Sequence, residues 1–520
     1  METAPAVLTE DQGPRVGRDS ITPVFLLENH DEALPLWRAT AGKQRILIHV
    51  DAHHDMWWVK PCAPLSIANF VCRALQEDLV REVYWVVPDR TWESAGNRRH
   101  VIRHLRKIVR AYPGNRPRPQ FEKNRISATV LGKPVRACSI ASLPPLDEGV
   151  LLDVDVDFLL LPRVTYGDND PHASLPWCWP EELLARLSGC GLRTDLVTIA
   201  YSVQGGYTPL QWKYLGDELA LRLQQAGPGE PRLQGMVRMR EAAVAAERGE
   251  LAAAEEKYRQ ARELLSASAA PAWHLAHLYL AMRRADDGQR MYQQAAALDP
   301  SYRTAYNSAG LWHFWSRRFS GARQEHWRTL QLDAQDPFAH LGLAWLAVRE
   351  KNWSEAETLL RKALQLDQHL LDAYRSLGDV LVRQGRPEKA IAAYERSLTL
   401  ALGGHRPLDG PIATLEEQER LPDPGHWRTY LELARLYERK GATPEAISRY
   451  RMSAAGGCDG VMLRSRLARL YLKQKDLPRT AGEAWQAVKL LFVGQRSVGR
   501  LLFRGLRRLI RHTYEAWLAR

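Results

Sequence analysis

Cysteine is scarce in this 520-residue chain and follows no pairing pattern. The six cysteines, at 62, 72, 138, 178, 190 and 458, include no C-x-x-C. That argues against a disulfide framework or a thiolate zinc site and fits a reducing compartment. No apolar run approaches the length of a membrane span. The N-terminal METAPAVLTEDQGPRVG lacks the basic-then-apolar layout of a signal peptide, so the expectation is a soluble, cytoplasmic protein. An acidic excess is also absent: the net charge is +12 and unevenly placed. Residues 91–125 hold ten Lys/Arg against two Glu, and residues 491–520 hold seven Arg against one Glu. Such stretches suit nucleic acid or an acidic peptide. Solvated helix faces explain them more simply, and nucleic acid is not expected as a partner. Hydrophobic content of 45% is ordinary for globular protein, and the length implies more than one domain.

Repetition is what the second half has in quantity. Leu264, Leu298, Leu332, Leu366 and Leu400 are spaced by 34, as are Asp299, Asp333 and Asp367. Ala254, Ala322, Ala356 and Ala390 keep one phase, with Gly288 filling the gap, and Tyr258, Tyr292 and Tyr394 follow four residues later. Thirty-four is the tetratricopeptide period, and small-then-aromatic pairs are its signature. Ala434 and Ala468 show the period resuming after a 22-residue insertion near Ala401–Asp423. Stacked helix pairs of this kind form an all-α solenoid with a concave, peptide-binding face.

The first half reads differently. Short apolar runs at Pro23–Leu27, Arg45–Val50, Glu82–Val87, Val135–Ile140, Val150–Leu159 and Leu196–Tyr201 alternate with helical periodicity at 31–41, 66–80, 101–109, 181–187 and 207–223. Alternating strands and helices predict an α/β fold with a parallel sheet flanked by helices. The expected organisation is a disordered tail at 1–20, an α/β domain at 21–225, a turn-rich linker at 226–232, repeats at 233–490 and a basic capping helix at 491–520.

Chemistry concentrates at the ends of two predicted strands. The strand at 46–50 runs into Asp51-Ala52-His53-His54-Asp55, and in extended chain Asp51, His53 and Asp55 share a face. A second acidic strand, VLLDVDVDFL, alternates Asp153, Asp155 and Asp157 with apolar residues. Buried carboxylates and imidazoles need a compensating partner. Oxygen and nitrogen donors without thiolate describe a paired divalent-metal site, with manganese favoured and iron, cobalt or zinc as alternatives.

DAHHD followed by DVDVD resembles the ureohydrolase (arginase) superfamily, whose motifs D-A-H-x-D and D-x-D lie on neighbouring strands of a parallel sheet. In that family a further metal-binding histidine precedes the first motif by about twenty residues; here His30 lies 21 residues before Asp51. The string SVQGGYTP at Ser202–Pro209 looks like the atypical branch that includes peptide arginases. These convert arginine side chains of ribosomal peptides to ornithine, releasing urea. The resemblance covers roughly residues 21–225.

It implies two manganese ions held by His30, Asp51, His53, Asp55 and two of Asp153, Asp155 and Asp157. Asp155 and Asp157 lie nearest the strand end; Asp153 with Asp155 is the other choice, and a third acid would serve as proton shuttle. Asp55 and Asp153 are the catalytic carboxylates on this reading. Two departures from the family stand out. Asn69 occupies the region where arginases carry a proton-transferring histidine, and Gln204 replaces the glutamate that holds the guanidinium. Glu28, or Asp168 and Asp170, would then have to supply that carboxylate. His54, Trp57, Asn69, Ser202, Gly205, Gly206 and Tyr207 are expected around the substrate. Trp57 and Trp58, or Trp177 and Trp179, are candidates to stack on a cation. The expected partners are an arginine-containing precursor peptide and a protein or peptide in the repeat groove. Alternatives are another C–N hydrolysis, such as deacylation, and a repeat scaffold whose arginase-like domain is inactive.

Overall fold

The computed structural model describes residues 22–40, 42–57, 65–111, 118–122, 125–164, 175–203, 207–224, 227, 229–303, 309–402, 426–455 and 460–491. The tail at 1–20, Trp58, Asp168, Asp170, most of the insertion and the basic stretch from 492 onward lie outside them. The chain divides into two compact units, Met1–Ser376 with Leu408–Glu419, and Leu377–Pro407 with Arg420–Arg520.

In the first unit, eight strands form one sheet. They are β1 (Val24–Leu27), β2 (Arg45–Val50), β3 (Val80–Val86), β4 (Gln120–Glu122), β5 (Arg125–Val130), β6 (Lys133–Cys138), β7 (Val150–Asp155) and β8 (Thr194–Ala200), in the order β1-β8-β7-β2-β3-β6-β5-β4. Six are parallel, but β4 and β5 run antiparallel at one edge. The sheet is therefore mixed, not parallel throughout as the sequence suggests. The cause is the two-residue hairpin Leu131-Gly132, both residues with positive φ, which turns β5 straight back into β6.

Helices α1 (Ala33–Thr40), α2 (Phe70–Gln76) and α3 (Ala95–Ala111) pack on one face of the sheet through Trp37, Phe70, Leu75, Leu105 and Ile108. On the other face lie α4 (Pro180–Ser188) and α5 (Tyr214–Leu223). Two elements end earlier than their periodicity suggests. Asp78, at φ 59°, breaks the chain between α2 and β3. The Asp155 side chain accepts from the Asp157 backbone N–H, so β7 stops there and Val156–Leu159 becomes a 3-10 turn. α5 likewise starts only at Tyr214, after a 3-10 turn at Leu210–Trp212.

The helical repeats begin with α6 (Pro231–Glu247) and α7 (Leu251–Leu264), then α8 (Ala270–Ala281) and α9 (Ala285–Leu298), α10 (Ala309–Trp315) and α11 (Phe319–Leu332), α12 (Pro337–Arg349) and α13 (Trp353–Leu366). The turn-rich 226–232 segment marks a change of sequence character, yet the core does not break there. Met236, Met239, Tyr258, Leu275 and Tyr302 belong to the same apolar cluster as Ile48, Val154, Leu215 and Leu219. The division between units falls within α14 (Leu371–Arg383). The second unit continues with α15 (Pro387–Leu402), α16 (His426–Lys440), α17 (Thr443–Ala455), α18 (Val461–Lys473) and α19 (Leu477–Leu491), with Ala434, Tyr450, Leu467 and Leu470 among its buried residues. No helix among the described residues is long and apolar enough to cross a membrane.

The 34-residue period is visible in the backbone itself. Between the two helices of successive pairs stands one left-handed residue: Gly249, Arg283, Arg317, Lys351 and Gly385, then Gly441 and Lys475. The Asp299, Asp333 and Asp367 carboxylates each accept from the backbone N–H two residues on, closing the same turn after α9, α11 and α13. Left-handed backbone strains residues bearing a Cβ. Lys351→Gly should therefore raise stability by about 0.5–1 kcal/mol once the added unfolded-state freedom of glycine is subtracted. A urea-midpoint shift upward for Lys351→Gly, and a similar one for Arg317→Gly, is the measurement.

Candidate metal centre

The strand order reverses between β2 and β7, because β2 leads to β3 on one side while β7 leads to β8 on the other. Such a switch point opens a crevice beyond the carboxyl ends of the strands. Asp51 follows β2 there, held by its backbone N–H on Val86 O and by Trp85 Nε1 on its carbonyl. The segment beyond is not extended, contrary to the alternating-face reading. Asp51 Oδ1 accepts from the His53 backbone N–H at 2.6 Å, and Asp55 sits at φ 49°. This turn, rather than alternation, brings the side chains together. Its far end is pinned by Val71 N on Asp55 O and Trp57 N on Ala68 O.

His30 enters from the turn after β1. Its Nδ1 lies 3.4 Å from Asp51 Oδ2, 3.3 Å from Asp55 Oδ2 and 3.2 Å from Asp155 Oδ2. Its Nε2 lies 2.8 Å from Asp153 Oδ2. His53 Nδ1 stands 3.4 Å from Asp51 Oδ1 and 2.7 Å from Asp157 Oδ2. The two oxygens of Asp51 thus face two different histidines. Asp157 reaches the cluster from the 3-10 turn after β7, not from the strand. Ser202, left-handed at φ 53°, donates its hydroxyl to Asp155 Oδ2. Two strained non-glycine residues, Asp55 and Ser202, at one site are the kind of backbone that surrounding structure must enforce.

His49 is a member the sequence reading missed. Its Nδ1 lies 2.8 Å from Asp153 Oδ2 and its Nε2 3.2 Å from Asp51 Oδ2, with the ring fully buried. The signal was present: it is the one polar residue inside an apolar strand, two positions before Asp51 and so on the same face.

The electrostatics are lopsided. Five carboxylates meet three imidazoles, and among the described residues no Lys or Arg pairs with any of the five. Burial opposes charge on His49, but Asp153 and Asp51 outweigh it and push the imidazole up to about 10. Burial, then repulsion from Asp51, pushes Asp55 up to about 6. Burial and the Asp155 and Asp51 charges likewise raise Asp157. For Asp153, burial is overcome by His30 and His49, which hold it down to about 2. Both ring nitrogens of His30, His49 Nε2, Asp51 Oδ2 and both Asp157 oxygens are buried without a hydrogen-bond partner. Such orphaned donor-type atoms, all nitrogen or oxygen, converging on shared space fit divalent cations. Four sets are close enough to hold an ion: His30, Asp51 and Asp155; Asp51, His53 and Asp157; His49, Asp51 and Asp55; and, one level below, His30, His49 and Asp153.

A pocket opens beside the cluster, lined by His30, His53, His54, Asp55, Trp57, Ile67, Ala68, Asp155, Ser202 and Tyr207. The Tyr207 ring stands edge-on to His53 at 4.8 Å. Trp57 contacts His54 at 4.5 Å and already carries a cation of its own chain, Lys107 Nζ, 5.5 Å from the ring centre. His54 accepts from Met56 N, and burial, then the neighbouring histidines His104 and His53, keep it neutral. Other expected residues are not among those lining this pocket. Asn69 accepts from Ser66 N at the start of α2. Glu28 lends its charge to Tyr201 and Tyr302. Trp177 donates to Phe158 O, and Trp179 meets Trp212 and Arg240. Gln204, Gly205 and Gly206 lie outside the described residues.

The tetratricopeptide repeat family model matches residues 336–403. Comparison with curated proteins gives no match. Similar solved structures include MamA, at 17% identity and TM-score 0.28, covering 35% of this chain and 93% of that one. PilF of Pseudomonas aeruginosa is 18% identical at TM-score 0.26, over 52% of this chain and 96% of that one. YrrB, described as a TPR protein with an unusual peptide-binding site, is 15% identical at TM-score 0.25, over 50% and 97%. With TM-scores this low, these likenesses decide nothing about this chain's arrangement or function. The family match and the 34-residue backbone period agree on one point: the helical repeats of the C-terminal part are a tetratricopeptide-type solenoid.

Proposed function

We propose that the α/β part is a two-cation hydrolase resembling peptide arginases, acting on the guanidinium of arginine residues in a peptide. The products are ornithine and urea. The observation that supports this most is Asp51, fully buried, with one oxygen toward His30 and the other toward His53. Divalent cations in such a setting lower the pKa of water and so supply a nucleophile at neutral pH. His30, Asp51 and Asp155 would hold one ion, with Asp55 beside His30 as a further ligand; His53, Asp51 and Asp157 would hold the other, with manganese suited to the donor set.

The chain's own groups do the rest. Five carboxylates against two divalent cations leave the site net negative, which favours a cationic head group, and Tyr207, edge-on to His53, lines the pocket beside it. In the balance, water oxygen bonds to the guanidinium carbon, the bond from that carbon to the arginine Nε breaks, and Nε leaves protonated as the ornithine amine. The tetratricopeptide repeats supply a peptide-binding scaffold, which on this proposal recruits the substrate peptide or a partner protein.

The test is direct. Manganese-loaded chain is incubated with arginine-containing peptides of varied sequence, and urea and peptide mass are followed. One urea-minus-water mass unit lost per modified site is expected. Unchanged peptides from chain that holds two manganese ions would overturn the hydrolase reading and leave a peptide-binding scaffold.

A further inference from the structure

Three acidic residues lie in or just after β7, and their surroundings differ sharply. We infer that Asp153 is not a cation ligand but a positioning carboxylate, paired with His49 in a buried polar row one step beneath the ions. This rests on the two-cation part of the proposed function and not on the guanidinium substrate.

The row is set by sheet register. His49 pairs with Asp153 across β2 and β7, and Asp153 with Thr198 across β7 and β8, so all three side chains stand on one face at one level. Two residues further along the same strands come Asp51 and Asp155, roughly 7 Å higher at the open strand ends. Both oxygens of Asp153 already hold a hydrogen bond. Its Oδ1 accepts from Thr198 Oγ1 at 2.6 Å, and its Oδ2 is hydrogen-bonded to His49 Nδ1 at 2.8 Å. His30 Nε2 stands at the same distance from Oδ2 without the geometry of a hydrogen bond. Asp157 is the opposite case: neither of its buried oxygens has a hydrogen-bond partner, and Oδ2 stands 2.7 Å from His53 Nδ1, a member of the same ion-sized set.

The consequence for the ligands follows from the imidazole. With Nε2 turned to Asp153, His30 presents the Nδ1 lone pair to Asp51, Asp55 and Asp155. His49 spans the two rows, Nδ1 on Asp153 and Nε2 toward Asp51 Oδ2. It therefore fixes the carboxylate that faces both ion positions. Carboxylates behind ligating histidines typically contribute about 10–100-fold in metal affinity.

Manganese stoichiometry by elemental analysis after equilibrium dialysis, together with affinity by calorimetry, separates ligands from positioning groups. Wild-type chain is expected to hold two ions. Asp153→Asn and His49→Gln should still hold two at saturating manganese, with affinity about 10–100-fold weaker. Asp155→Asn and Asp157→Asn should hold fewer than two. An Asp153→Asn protein with wild-type circular dichroism that binds one ion or none overturns the inference, as does a wild-type stoichiometry of three. Should Asp153→Asn fail to fold, Thr198→Val removes only the donor to Asp153 Oδ1. A two-ion stoichiometry with weakened affinity supports the inference, and unchanged affinity in both Thr198→Val and His49→Gln overturns it. Wild-type chain that binds no manganese removes the two-cation reading itself.

Discussion

Asp51→Ala is expected to abolish arginine hydrolysis and to drop bound manganese from two ions to at most one. Asp51 belongs to both proposed ligand sets, and to three of the four clusters close enough to hold an ion. The loss of turnover should exceed about a thousandfold, since electrostatic and nucleophile-generating contributions vanish together. Stability supplies an independent reading. Ligand that binds only the native state stabilises it by about 2.7 kcal/mol at a hundredfold excess over its Kd. Wild-type chain should show a thermal-midpoint rise of that order with manganese, and Asp51→Ala should show little. Without metal the variant is also expected to be less stable than wild type, since burial of Asp51 is overcome by His30, His49 and His53, which hold its carboxyl well below the usual carboxylate range, and its Oδ1 accepts from the His53 backbone N–H. An Asp51→Ala protein that keeps its manganese-dependent midpoint shift would sink the assignment.

The second large effect lies in the repeats. Gly342→Ala should destabilise the first unit by about 1–3 kcal/mol, the usual range for overpacking. A Cβ at Gly342 would stand 2.2 Å from His326 Nε2, and the ring also lies close against Gly310, where an added Cβ would stand 2.7 Å from its Cε1. His326 occupies the phase held by Tyr258, Tyr292 and Tyr394 in other repeats. Adding His326→Ala to Gly342→Ala should cost less than the sum of the two single changes, since both act on one contact. Acid probes the same spot. Burial pulls the His326 imidazole down to about 4, whereas in the unfolded chain it titrates near 6.5. The unfolded state binds the proton first as pH falls. Its contribution is whole above about pH 6.5 and is lost progressively toward pH 4. Urea midpoints of His326→Leu should fall less than those of wild type between pH 7 and 5.

Much of this was legible because its cause is local. A small residue, a tyrosine four positions on and a turn aspartate recur at 34 because every repeat packs the same way, and the backbone repeats with them. DAHHD and DVDVD were legible because apolar strand followed by acid is a costly pattern. What escaped depends on partners far along the chain. Nothing local marks Leu131 for a left-handed turn, so the antiparallel edge was hidden in a basic stretch. His49 looked like an interruption of a strand, since its partners lie 104 residues away on β7 and two residues on at Asp51. Glu28 lies two residues before His30; its carbonyl accepts from Ser202 N, and its charge is felt at Tyr201 and Tyr302.

The apolar cluster shared by the sheet and the first repeats has a consequence for how such a chain can diversify. Lys213, just before α5, reaches Asp299 and Ser301 after α9 and lies over both Tyr201 and Tyr302. Tyr201 is the immediate neighbour of Ser202, which steadies Asp155. The outer helix pairs can therefore change without touching the sheet, whereas replacing the innermost ones would disturb the packing next to Ser202 and Asp155 as well.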